Sequence, residues 1–124
     1  MKIKRVFIAN RGEIAVRVVR ACKALGIESV VAVSMADQDS LAARLADRAV
    51  CIGPPRVGES YLNQNALLAA ALGTNCDAIH PGYGFLAENP KFVKACEENR
   101  IIFVGPSSES VQKMGNKLEA REIE

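Results

Sequence analysis

Two segments carry side chains and backbone freedom suited to binding. The first is His80-Pro81-Gly82-Tyr83-Gly84-Phe85-Leu86-Ala87-Glu88-Asn89. Two glycines two positions apart let the main chain approach a ligand closely, and between them stands Tyr83, an aromatic with a polar tip. Pro81 fixes the exit from an apolar segment, and Asn89-Pro90 has the form of an N-cap followed by proline at the first helical position. The second segment is Asn10-Arg11-Gly12-Glu13, which follows the apolar run Val6-Phe7-Ile8-Ala9. A glycine-rich loop between a strand and a helix is more often a binding loop than a spacer.

Those loops need a frame, and the chain alternates strand and helix. Short apolar runs at residues 6–9, 29–33, 49–52, 78–79 and 101–104 predict strands buried on both faces of a parallel sheet. Helical spacing of Ile14, Val18, Cys22 and Leu25 predicts a helix over residues 13–25, closed by Gly26. Asp39 or Ser40 can cap a short helix over 41–46. Asn63 can cap one ending at Gly73, with Leu67, Leu68, Ala71 and Leu72 on its apolar face. A fourth helix runs from Pro90 to about residue 99 with Phe92, Val93 and Cys96 inward, and Ser107 can start a last one. The pattern predicts a three-layer α/β/α domain with a parallel five-stranded sheet in order 3-2-1-4-5. That order puts the crevice between strands one and four, where the two unusual loops would face each other.

Composition excludes several classes. The chain has 124 residues, enough for one core, with 49% hydrophobic and 24% charged residues. A net charge of +2 with dispersed basic residues argues against nucleic acid. No run approaches a membrane span, and the first residues do not resemble a signal peptide. Cys22, Cys51, Cys76 and Cys96 are widely spaced and there is one histidine, so zinc is not expected. The cysteines read as reduced, small core residues of a cytoplasmic protein.

Dinucleotide binding fails on its fingerprint. The turn after strand one holds a single glycine, and Glu13 would repel a phosphate at the helix start; Asp37 only weakly imitates the ribose-binding acid. Arg11 and Glu13 either form a capped helix start with a solvated charge pair or contact a ligand directly, and they could also hold the loop together or reach a neighbouring domain. Arg17 and Arg20 share a helix face, which is either solvated or a subunit contact. His80 has no nucleophile constellation beside it and reads as a structural histidine rather than a general base.

Phe7-Ile8-Ala9-Asn10-Arg11-Gly12-Glu13-Ile14-Ala15, the segment from His80 to Asn89, Phe103-Val104-Gly105-Pro106 and Met114-Gly115-Asn116-Lys117 stand in the order and spacing of biotin carboxylase. The resemblance covers nearly the whole chain. It implies an enzyme that uses ATP, magnesium and bicarbonate to carboxylate biotin on a carrier protein, acting with a carboxyltransferase as a homodimer. Residues 1–106 then form the Rossmann-like N-terminal domain, and residues 107–124 lead into an ATP-grasp domain followed by a C-terminal domain. Lys117 matches the lysine that reaches ATP phosphates, Tyr83 and Gly84 match a loop beside the biotin site, and Arg20 matches a dimer-interface residue. No catalytic or metal-ligating residue maps onto this chain, which resembles a fragment expected to be inactive alone. Asn116 replaces a common aspartate, Ala24 lacks a glutamate that some members carry, and residues 118–124 depart from the usual continuation. A non-catalytic interaction module of the same fold is the rival reading. A carbamoyl phosphate synthetase domain is a weaker one, because of the long loop at residues 80–89.

Overall fold

A computed structural model describes residues 3–104. The elements run β1 Arg5–Ile8, α1 Gly12–Ala24, β2 Glu28–Ser34, α2 Leu41–Leu45, β3 Arg48–Gly53, α3 Gln64–Gly73, β4 Ala78–His80, α4 Pro90–Glu98 and β5 Ile102–Phe103. Short 3-10 turns at Met35–Asp37 and Val57–Glu59 follow β2 and β3. The five strands form one sheet in the order β3-β2-β1-β4-β5, and every pairing is parallel. Ser107, Lys117 and the expected last helix lie outside the described residues.

Strand alternation explains the two cores. Phe7, Val30, Ala32 and Ile79 point to one face, where they meet Leu67, Ala71, Phe92 and Cys96 of α3 and α4. Val6, Ile8, Val31 and Val33 point to the other, against Ala15, Val18, Val19 and Cys22 of α1 and Ala42 of α2. A strand with apolar residues at every position can serve both layers, which is why these runs show no polar alternation. From β1 the chain moves outward through β2 to β3, then crosses back over the sheet to β4. That reversal puts α1 and α2 on one face and α3 and α4 on the other.

Caps set the helix ends. The Ser40 hydroxyl accepts from Ala43 N, Asn63 Oδ1 from Ala66 N, and Asn89 Oδ1 from Lys91 N and Phe92 N. At the end of α1, Ile27 N donates to Cys22 O and Gly26 N to Lys23 O, the paired bonds of a Schellman motif. Three sequence expectations need correction. Leu25, expected inward on α1, is 74% exposed at the C-cap, one residue past the last helical residue, Ala24. Leu72 of α3 is also exposed, since the inward stripe is carried by Leu67 and Ala71. Cys51 is exposed because β3 is an edge strand, whereas Cys22, Cys76 and Cys96 are buried; all four thiols are free. Among the described residues no helix is long and apolar enough to cross a membrane.

Candidate functional site

The register of β1 against β4 pairs Ile8 with His80, so the chain leaves both strands at the same level. Ala9 N donates to His80 O at 3.0 Å, extending the ladder one step into the loops. Asn10 then joins them. Its side chain is buried, and its Nδ2 donates to Pro81 O at 2.8 Å and to Tyr83 O at 2.7 Å. Its Oδ1 accepts from Arg11 N at 2.8 Å. One primary amide thus fixes both sides of the crevice with two donors and one acceptor.

Two glycines in the β4–α4 loop have distinct tasks. Gly82 has φ +67°, and a Cβ there would lie 2.5 Å from Ile14 Cγ2 and 2.9 Å from Asn10 Nδ2. The loop can therefore sit against α1 and Asn10 only with no side chain at this position. Gly84 has φ +69° with open space around its Cα, so conformation alone accounts for it. Tyr83 between them is 78% exposed and projects from the clamped backbone into solvent. Leu86 returns the chain to the core, and Ala87 N donates to Gly84 O at 2.9 Å.

His80 is half-buried, and its Nδ1 accepts from Gly82 N at 3.1 Å. Burial pushes its pKa below the ordinary 6.5, so the ring is neutral with its proton on Nε2 near pH 7. It braces the loop from within.

Arg11 and Glu13 part company. Arg11 Nη2 reaches Asp37 Oδ1 at 2.8 Å, while Glu13 forms an exposed pair with Arg17 at 3.4 Å, one helical turn away. The solvated Arg11–Glu13 pair expected from the sequence is absent because Asp37 offers Arg11 a less exposed partner. Both Asp37 oxygens are engaged: Oδ2 accepts from the Tyr61 hydroxyl at 2.6 Å and from Ser34 Oγ at 3.2 Å. Burial would raise the Asp37 pKa, but the hydrogen bonds from Tyr61 and Arg11 outweigh it and hold the carboxyl below the usual value. Burial, reinforced by the Asp37 bond, pushes the Tyr61 phenol up to about 12. This acid is committed within the domain and leaves no free carboxylate for a ribose.

Arg17 and Arg20 are exposed and both line an open groove of about 340 Å³ between α1 and α2, with Val16 and Leu41 among its apolar walls. Tyr61 and the clamping role of Asn10 were not singled out in the sequence. The available signal for Tyr61 was a lone aromatic with a hydroxyl inside a Gly-, Ser- and Asn-rich connection.

Comparison with known proteins decides the family. The model of the biotin carboxylase N-terminal domain matches residues 2–111. The chain belongs to the biotin carboxylase N-terminal domain family. Biotin carboxylase 1 of Bacillus subtilis is 56% identical over 120 residues, covering 97% of this chain and 27% of the relative. Among solved structures, K. lactis urea amidolyase aligns with a TM-score of 0.92 at 44% identity, over 98% of this chain and 7% of that one. The biotin carboxylase domain dimer of Hydrogenobacter thermophilus 2-oxoglutarate carboxylase, in complex with MgADP, ADP and bicarbonate, aligns at 0.86 and 44% identity. That alignment covers 90% of this chain and 24% of the other. The chain spans about a quarter of the length of its curated biotin carboxylase relatives.

Proposed function

We propose that this chain supplies the N-terminal domain of an enzyme that uses ATP and bicarbonate to carboxylate biotin carried on a partner protein or domain. The observation that carries the reading is the joint built by Asn10 and Gly82, in a chain of the biotin carboxylase N-terminal domain family. It sits where open parallel sheets bind ligands, between β1 and β4. The solved relative bound to MgADP and bicarbonate supports nucleotide and bicarbonate as co-substrates of the intact enzyme.

On this reading Tyr83 and Gly84 lie beside biotin. The exposed phenol ring and the main chain of the loop offer a flat apolar surface and backbone polar groups to a small bicyclic urea. Residues 1–106 are the N-terminal domain and 107–124 lead into an ATP-grasp domain, with Lys117 reaching the ATP phosphates. Arg17 and Arg20 contribute to the contact between two copies, and a carboxyltransferase takes the carboxyl group onward.

Magnesium, when bound with ATP, neutralises phosphate charge during transfer. On this reading the residues that hold magnesium lie outside this domain. The work of this domain is positional: it presents Tyr83, holds the loop backbone and keeps His80 neutral.

The test is a chimera in which residues 1–104 of this chain replace the matching part of the Bacillus subtilis biotin carboxylase. Biotin-dependent ATP cleavage should be retained, and Tyr83→Ala should lower it while leaving thermal stability unaltered. A folded chimera with no turnover would favour the rival reading, a non-catalytic interaction module.

A further inference from the structure

Four loops at the carboxyl end of the sheet, those leaving β1 to β4, converge on one buried aromatic. Tyr61, from the β3–α3 connection, is 1% exposed. Its hydroxyl donates to Asp37 Oδ2 and accepts from Ser34 N at 3.0 Å, both in the region where β2 ends. The Arg11 guanidinium, from the β1–α1 loop, pairs with Asp37 and lies 5.8 Å from the Tyr61 ring centre. The Tyr61 ring stacks on Phe85 of the β4–α4 loop, with centroids 5.4 Å apart and planes inclined by 20°.

Phe85 matters most in this set. It lies two residues beyond Tyr83 and has φ +46°, a conformation unfavourable for an L side chain. Such a residue persists only where its surroundings over-determine it. The stack on Tyr61 is one contact in place to do so, beside packing on the core cluster, and Tyr61 is fixed in turn by a charge-assisted hydrogen bond of 2.6 Å to Asp37. Asn10 holds the loop at Pro81 and Tyr83, while Phe85 holds it on the far side of Tyr83. The exposed ring is therefore carried on a backbone pinned at both ends.

We infer that Tyr61 and Asp37 are positioning residues for Tyr83, acting through the ring of Phe85. The consequence for turnover rests on the proposal that Tyr83 lies beside biotin, whereas the mechanical part can be read on this chain alone.

Hydrogen exchange followed by NMR on the 124-residue chain reads the loop directly. Tyr61→Phe removes the hydroxyl and keeps the ring, and Asp37→Ala removes its acceptor. In either variant the amides of Gly82, Ala87 and Asn89 should exchange about tenfold faster, while those of β1 and of β2 up to Val33 stay as in the parent; Ser34 N is left out of the comparison because it loses its acceptor in Tyr61→Phe. Both changes remove the bond between Tyr61 and Asp37, so in the double variant the loop amides should gain less than the product of the two single effects. Unaltered loop exchange in Tyr61→Phe, or an equal rise throughout the domain, would overturn the inference. In the chimeric enzyme Tyr61→Phe should raise KM for biotin about fivefold with little effect on kcat. A loosened loop with an unaltered KM would leave the positioning role standing and count against biotin beside Tyr83.

Discussion

Replacing Asn10 tests whether one amide holds the crevice together. Asn10→Ala deletes two donors and one acceptor, and the carbonyl of Pro81 is left in a buried bond position with no partner. An unsatisfied buried carbonyl costs about 1–3 kcal/mol, while the two part-buried groups regain water and cost about 0.5–1.5 kcal/mol each. The sum is about 4 kcal/mol, against a total stability of about 5–15 kcal/mol for a domain. With a urea dependence of about 2 kcal/mol per molar, the unfolding midpoint should fall by about 2 M. Asn10→Asp is nearly the same shape but sets a carboxylate oxygen against two carbonyl oxygens at 2.7–2.8 Å. At pH 7 it should be at least as damaging as alanine. Protonation turns that carboxyl into a donor, so its deficit should narrow as the pH falls towards 5. Urea titrations of parent and both variants at pH 7 and 5 check this. A loss below about 1 kcal/mol for Asn10→Ala, or an Asn10→Asp variant as stable as the parent at pH 7, would refute the clamp.

Gly82→Ala should cost about 2–4 kcal/mol, from overpacking against Ile14 and Asn10 added to a positive φ. Gly84→Ala, with the same sign of φ and open space, should cost only about 1–2 kcal/mol, and thermal melts separate the two. The pH dependence should show two windows. His80 titrates below its ordinary 6.5 in the folded chain, so the unfolded chain binds more protons there and stability falls as pH drops through that range; His80→Asn should flatten this slope. Asp37, and Asp77, whose Oδ2 accepts from the backbone N–H groups of Lys4 and Arg5, have pKa values held below the ordinary 3.8, so their contribution is present above that value and is lost only at lower pH. If Arg17 and Arg20 contribute only part of a contact between two copies, as proposed, sedimentation should find the 124-residue chain monomeric at nanomolar concentration, because a stable complex needs roughly 1,200 Å². A tight dimer at that concentration would contradict it.

The strands and helices were legible because each rests on a local signal, whereas the order 3-2-1-4-5 was the natural choice for such an alternation rather than a reading of particular residues. Apolar runs such as Val30 to Val33 lie in strands buried on both faces, and Ser40, Asn63 and Asn89 cap the helices that follow them. The parallel order then follows from short strands joined by helices, and the switch point follows from the order. What stayed hidden depends on distance in the fold. Leu25 fits a helical stripe, yet the stripe does not say that nothing packs over its last position, at the C-cap. Cys51 lies in an apolar run, yet only the sheet order makes that run an edge.

Arg11 has Glu13 two residues away and Asp37 twenty-six away, and its bond goes to Asp37. Sequence proximity favours the first partner, but residues two apart on a helix start do not face each other. The 3-10 turn after β2 brings Asp37 to the same end of the sheet, where Tyr61 already holds it. The pairing that orders the site is thus a property of the sheet's carboxyl end, where loops far apart in sequence become neighbours. A chain that kept residues 80–89 but lost Tyr61 or Asp37 would retain the motif without its support.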